Sequence, residues 1–487
     1  MSFILGIDQG TTGSTACLLN EQAKVIATST SPVPQHFPRP GWVEHRPEEI
    51  WQSLTTAVST TLNKAKISTR EITSIGLTNQ RETLSLFQGS NALHPFIVWQ
   101  DRRTSDACKK LKSKGKIIRS RSGTPVDPYF SSTKIAWLIK HLKISKRSKD
   151  IKFRTIDSFV LNRMTGANVT EATNAHRTQL VNLKSARWDS VLLDIFDIPH
   201  TFCPEIIASE GMNLKTKGLD FLPDGIPIQA CLGDQQAALF GQLAWKKGEG
   251  KITYGTGAFV LLNTGDRPVH SKNSLVSTLA WEFSNGKKTY ALEGSAFICG
   301  AWVQWLRDQL GLIRSSEEIE SLAREVTDSG GVMIVPALTG LGAPFWRSEL
   351  RASIQGLTRG SSKAHIARAS LEALCFQNRA LIDAMKRDAS LKKTRWKVDG
   401  GAVKNNLLLE IQADVLNCKI YRPKNLEATA IGVALLAGYA SGLYDLHEIA
   451  ASYEPESTFE ARPQQHHALS KTFSSWMTLV KNSPLTN

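Results

Sequence analysis

Apolar positions along the chain alternate between two periods. Phe3, Leu5 and Ile7 recur at every second residue, as do Ile226, Ile228, Ala230 and Leu232, which predicts strands with one face buried. Pro47–Ala65, Lys363–Lys386 and Asn405–Leu416 carry helical spacing instead. Shorter strands are expected at Ile75–Leu77, running on to Asn79–Glu82, and at Phe96–Gln100, Gly330–Leu338 and Trp396–Asp399. Ala296–Leu310 reads as an amphipathic helix. From Tyr453 onward the pattern is weak until Thr472–Val480. Strands and helices alternate throughout, so the fold class is α/β.

One device occurs twice. Ser2–Asn20 reads as strand, polar turn (Gly10-Thr11-Thr12-Gly13-Ser14) and strand. Lys251–Asn263 repeats the layout around Gly255-Thr256-Gly257. An approximate internal duplication follows, with domains 1–245 and 246–487 joined through the exposed connector GQLAWKKGEGK. Between the two hairpins, Gly233 ends the strand of Ile226–Leu232 and Gln235–Phe240 starts a helix. Asp234 therefore stands where a strand hands over to a helix, either as a helix cap or at the crevice where α/β folds bind ligands.

A chain of 487 residues with 41% hydrophobic and 21% charged positions has ample material for two cores. The late apolar run Ala428–Leu443 is short for a membrane span and broken by three glycines. It is expected to be a buried helix packed closely on a neighbour, and membrane insertion is not expected. The start of the chain lacks the pattern of an export signal. The seven cysteines form no CxxC pair, so a reduced, cytoplasmic protein with structural thiols is expected. Nearly all of the +15 net charge falls within Arg102–Arg154, which holds 17 Lys/Arg against 3 Asp/Glu. Its core KKLKSKGKIIRSR has no interleaved aromatics to stack on bases, which argues against nucleic acid. The region reads as a solvated basic face, with an anionic partner as the alternative.

The simplest motifs of four common chemistries (GxxxxGK(S/T), full GxGxxG, HExxH, GxSxG) are absent. What remains is a set of Gly/Thr turns at strand ends, together with Asp399-Gly400-Gly401-Ala402 before a helix. Such turns suit phosphate, because glycine lets backbone N–H groups approach and threonine adds an uncharged donor.

At Asp8-Gln9-Gly10-Thr11-Thr12 the resemblance becomes specific. The chain resembles the glycerol-phosphorylating members of the FGGY carbohydrate-kinase family. It does so through PGWVEH (Pro40–His45), TNQRET (Thr78–Thr83), IVWQ (Ile97–Gln100) and DPYFSSTK (Asp127–Lys134), then GDQQAALFGQ (Gly233–Gln242), TYGTG (Thr253–Gly257), TGLGAPFW (Thr339–Trp346), GLTRG (Gly356–Gly360) and VDGGAVKNN (Val398–Asn406). The resemblance implies two actin-like (ribonuclease H-like) ATPase domains around a cleft, ATP and Mg²⁺ as cofactors, glycerol as substrate, and assembly as a homodimer or homotetramer. It further implies that Asp234 is the general base and that Arg81, Glu82, Trp99, Tyr129, Gln235 and Phe259 join it in binding the polyol. Thr11, Thr12 and Gly13 then form the first phosphate loop, with Thr256, Gly300, Gln304, Gly401 and Asn405 on the nucleotide, and Asp8 with Asp234 holding the metal. A guanidinium beside a carboxylate suits a neutral triol, since together they donate to and accept from adjacent hydroxyls.

Two positions depart from the family pattern. Gly13-Ser14-Thr15 stands where the family has Ser-Ser-Arg, removing a cation from the first loop. Arg347 replaces an acidic residue and is a candidate for returning positive charge to the cleft. These departures keep two other readings open: a kinase for another polyol or ketose, and a weakly active kinase-fold protein that docks an anionic partner on its basic face.

Overall fold

The computed structural model describes residues 2–347, 349–425 and 427–483. In the first half β1 (Phe3–Gln9), β2 (Gly13–Leu19), β3 (Val25–Pro32), β4 (Ile72–Asn79), β5 (Glu210–Lys215) and β6 (Pro227–Gly233) form a six-stranded sheet in the order β5-β6-β4-β1-β2-β3. β1, β4 and β6 run parallel, while β2 and β3 add antiparallel. Alternation sends Phe3, Leu5 and Ile7 to one face, where they meet Ile50, Leu54 and Val58 of α1 (Pro47–Ala65). Pro47 in the first turn and Glu48 and Glu49 beside it favour the start of that helix. The opposite face, with Ile4, Cys17 and Leu19, is covered by residues from late in the chain.

Four more helices of this half matter for the site: α2 (Ser131–His141), α3 (Ile156–Thr165), α4 (Ala172–Arg177) and α5 (Asp234–Gly241). A smaller sheet built on Leu84–Gln88, which pairs with Phe96–Ile97, Asn91–Ala92 and Ile151–Thr155, is inserted beside them.

The second half repeats the plan. β7 (Glu249–Tyr254), β8 (Ala258–Gly265), β9 (Val276–Glu282), β10 (Lys288–Ala296), β11 (Arg395–Asp399), β12 (Ile420–Pro423) and β13 (Pro455–Phe459) form a seven-stranded sheet in the order β9-β10-β8-β7-β11-β12-β13. As in the first sheet, the opening hairpin β7–β8 is antiparallel and the next strands, β11 and β12, run parallel to β7. Its helices are α6 (Gly300–Asp308), α7 (Lys363–Asp388), α8 (Asn406–Leu416), α9 (Ala428–Ala440) and α10 (Pro463–Asn482).

α9 is the expected buried apolar helix. It crosses back to the first half, where Val433, Ala434 and Ala437 cover the free face of the first sheet. A Cβ on Gly432 would lie 1.9 Å from the carbonyl oxygen of Ala237 in α5, so the two helices meet backbone to backbone.

Several expected elements differ: the strand expected to run to Glu82 ends at Asn79, and the stretch Gly330–Leu338 is a strand only over Met333–Val335. The strand at Phe96 ends at Ile97, and the Trp99 N–H bonds the Thr83 hydroxyl instead of a ladder partner. Ala296 closes β10, and α6 begins only at Gly300, after Cys299 and Gly300 donate to the carbonyls of Thr256 and Gly255. The weakly patterned tail holds β13 and the 20-residue α10, whose Leu469, Phe473, Trp476 and Val480 are buried.

Candidate active site

Arg81 and Glu82 follow the end of β4, and Asp234 opens α5 at the end of β6, the strand paired with β4. Gly233 fits here because a Cβ would sit 2.6 Å from Cδ of Arg81. The stem of Arg81 thus lies across the strand end, and its Nε stands 3.0 Å from Asp234 Oδ1. The cap question resolves against capping. Gly233 occupies the N-cap position, while Asp234, 28% exposed, accepts the N–H of the adjacent Gln235 at 2.6 Å rather than one a turn further into the helix.

Arg81 is also held from across the cleft. Its Nη1 and Nη2 donate to the two oxygens of Glu293 in β10 at 2.6 and 3.1 Å, and Nη1 donates to Gln236 at 3.1 Å. Arg177, at the end of α4, donates to Glu293 at 3.1 Å and, through Nε, to Glu82. Burial would raise the Glu293 carboxyl, but the guanidiniums of Arg177 and Arg81 outweigh it and hold the group at about 2. For Glu82 burial wins, and its pKa lies above the usual range despite the same two arginines. Glu82 adopts φ of 62°, a strained backbone for a non-glycine residue and one that clusters at working sites.

The aromatic wall adjoins this pair. Tyr129 lies 3.5 Å from Arg81 Nη2, and Trp99 meets Tyr129 edge to face with ring centroids 5.6 Å apart. The indole N–H of Trp99 donates to the Thr11 hydroxyl at 2.9 Å, so wall and first loop are tied together. Phe259, half-buried in β8, pairs with Ser295 two positions along β10 from Glu293. It therefore shares the sheet face that presents Glu293 to the cleft. Gln235 is engaged by Lys251 of β7, whose Nζ donates to Gln235 Oε1 and Thr253 Oγ1, both at 2.5 Å.

The first turn is closed by Gly10 N donating to Gly13 O at 2.9 Å and is braced by Gln80, which donates to the Gly10 carbonyl at 3.2 Å. Thr12 is exposed at its tip. The second turn, Gly255–Gly257, is bound to the start of α6 through Gly300 N to Gly255 O at 2.9 Å. Gly300 and Gln304 share one face of α6, and Gln304 is exposed. Gly401 follows the end of β11, where Asp399 pairs in register with Thr253. Asn405 caps α8, accepting Leu408 N–H at 2.8 Å.

Asp8, at the end of β1, has an unusual environment. Its Oδ1 is sealed from solvent and has no hydrogen-bond partner. Burial, with the like charges of Asp234 and Glu427 nearby, lifts its carboxyl to about 8. An orphaned buried carboxylate oxygen among like charges fits a divalent cation. No cluster of three or more His, Cys, Asp or Glu side chains arranged for a metal occurs among the described residues. A cation here would draw its remaining ligands from water and phosphate oxygens, as Mg²⁺ commonly does.

Neither departure supplies the missing loop cation. Thr15 pairs in register with Asp8 and shares a 2.9 Å hydroxyl contact with Thr30. Arg347 is engaged elsewhere, donating to the carbonyls of Val480, Lys481 and Ser483 at the end of α10. Unpaired helix-end carbonyls attract a cation there. The expected single basic face is divided as well. The Arg103 side chain is buried against the rings of Trp42 and Trp137 and paired with Asp101 and Glu44, and Lys134 is wholly interior. Lys109, Lys110, Lys112, Lys114 and Lys116 remain exposed.

Residues 3–241 match the N-terminal domain of the FGGY family of carbohydrate kinases, and residues 250–441 match its C-terminal domain. The chain belongs to this family. The glycerol kinase of Bdellovibrio bacteriovorus is 50% identical over 471 residues, 95% of each chain, and that of Myxococcus xanthus 44% over 492 residues, 99% of each. The crystal structure of Plasmodium falciparum glycerol kinase with ADP superposes with a TM-score of 0.93 at 32% identity, over 100% of this chain and 99% of that one.

Within this FGGY fold, four charged residues at the site were not singled out from sequence. Glu293 carried one signal, a lone carboxylate in the otherwise apolar or small run ALEGSA of a strand. Arg177 lies in a polar stretch that gives no period. Lys251 looked like part of the exposed connector. Lys134 closed a quoted motif without a role. Its buried ammonium donates to the carbonyls of Val98, Trp99 and Tyr129 at 3.0, 3.2 and 3.2 Å, joining the two segments of the aromatic wall. Burial pulls its pKa down to about 7.

Proposed function

We infer that the protein transfers the γ-phosphoryl group of ATP to a terminal hydroxyl of glycerol, giving sn-glycerol 3-phosphate. The observation that carries this reading is the buried Arg81–Glu82 pair beside a partly open Asp234 carboxylate, in a chain 50% identical to a protein named glycerol kinase. Residues 1–245 supply the polyol pocket and first phosphate turn, and 246–487 the nucleotide side.

Glu82 accepts from one glycerol hydroxyl, while Arg81 Nη2 and Tyr129 meet its neighbour. The faces of Trp99 and Phe259 cover the carbon chain. The third hydroxyl is thereby directed at Asp234, which takes its proton as the oxygen attacks phosphorus. The backbone and hydroxyls of Thr11, Thr12, Gly13 and Thr256 hold the phosphates, and Gly300, Gln304, Gly401 and Asn405 bound the nucleoside. Asp8 and Asp234 would hold Mg²⁺, which when bound neutralises charge on the phosphate oxygens.

Coupled ADP release with ATP, Mg²⁺ and glycerol tests this directly. Turnover should require glycerol and fall about 10³-fold in Asp234→Asn. Turnover with another polyol or ketose and none with glycerol would overturn the substrate assignment. Full activity in the variant would remove Asp234 from its role.

A further inference from the structure

Resting on the reading above, we propose that Glu293 is a specificity-determining positioning residue. It reaches from the second half of the chain to set the orientation in which Arg81 reads a substrate hydroxyl.

A guanidinium has five N–H donors in a fixed plane. Glu293 takes one hydrogen from each terminal nitrogen of Arg81, Gln236 takes a second from Nη1, and Nε faces Asp234. One Nη2 hydrogen is left, directed towards the Tyr129 hydroxyl at a loose 3.5 Å. That edge is where a substrate hydroxyl can insert. The two-oxygen grip fixes the plane of the guanidinium and therefore the direction of the free hydrogen.

Glu293 also decides what Arg81 is free to do. Arg81 and Arg177 are both buried, and the Glu293 carboxylate lies between them. Without its charge the two cations would have to share Glu82 and Asp234. Arg81 would turn onto Asp234, and Glu82 would be drawn away from the substrate. Because β10 belongs to the second sheet, the polyol pocket of the first half is completed from across the cleft.

The test compares wild type with Glu293→Gln and Glu293→Asp, using glycerol and propane-1,2-diol, which lacks one terminal hydroxyl. Glu293→Gln should raise KM for glycerol at least tenfold while KM for ATP stays within about twofold. The preference for glycerol over the diol should shrink by a similar factor. Glu293→Asp, which keeps the charge, should recover part of both. An active Glu293→Gln enzyme with glycerol KM and diol preference within twofold of wild type would overturn the proposal, as would Glu293→Asp behaving no better than Glu293→Gln. If Glu293→Gln does not fold, Glu293→Asp alone carries the test. Its glycerol KM must then rise without a matching rise for ATP, and a parallel rise in both would overturn the proposal. Wild-type enzyme without glycerol turnover would refute the function inferred above, and an unaffected variant beside an active wild type would refute only the role of Glu293.

Discussion

Two sets of carboxylates meet at the cleft, and the protein treats them in opposite ways. Glu82 and Glu293 are buried against Arg81 and Arg177, so their charges largely cancel inside the fold. Asp8 instead lies near the like charges of Asp234 and Glu427; Arg81 Nε and the Gln235 N–H reach Asp234, and no described residue reaches Asp8 Oδ1. The difference matches what each side has to hold. A neutral triol is best read by groups already balanced against each other, leaving only hydrogen-bond direction to discriminate. Under the proposed mechanism the other side seats a metal-bound polyphosphate, which needs negative charge left over for the cation.

The sharpest way to break this contrast is to unbalance the closed set. Arg177→Met leaves Glu82 and Glu293 buried with one cation between them, and stability should fall by about 3–5 kcal/mol in urea unfolding. A loss below about 1 kcal/mol would mean that the set is not self-neutralised. The open set should respond differently. Asp8→Asn should lower turnover about 100-fold at limiting Mg²⁺, a cost of about 2.7 kcal/mol in the barrier, with partial recovery as Mg²⁺ is raised. It should also remove a pH dependence. The Asp8 carboxyl is raised from 3.8 to about 8 on folding, so its favourable contribution is complete below about pH 4 and is lost as pH rises through about 8. The metal-free wild type should therefore lose Tm relative to Asp8→Asn across that window, and saturating Mg²⁺ should flatten the difference. The smallest effect belongs outside the cleft. Arg347→Ala should cost about 1 kcal/mol by loosening the end of α10 and leave turnover within twofold, because its guanidinium serves helix carbonyls.

The same contrast explains what could be read from sequence. Hairpins, long helices and the position of Asp234 at a strand end were legible because period and glycine breaks are local signals. The duplicated plan was visible in the two Gly/Thr turns for the same reason. The partners of Arg81 were not, since Glu293 lies 212 residues away and only the pairing of β10 with β8 brings it to the cleft. Charge in a sequence also does not state its depth. Lys134 and Arg103 fall within the run that reads as an outer basic face, yet one holds three carbonyls in the interior and the other packs against two indole rings. The strand at Phe96 is shorter than its apolar run predicts because the Thr83 hydroxyl, rather than a neighbouring strand, takes the Trp99 N–H.

The backbone contact between α5 and α9 has a mechanical consequence. Asp234 is the first residue of α5, and Gly241, at its far end, would place a Cβ 2.1 Å from the carbonyl of Ala428. The helix thus carries the carboxylate proposed as general base at one tip and its closest backbone contact with α9 at the other. A single methyl group added at Gly241 or Gly432 would push the two helices apart, and under the proposed mechanism the displacement at one end of α5 would carry the Asp234 carboxylate out of its place at the other.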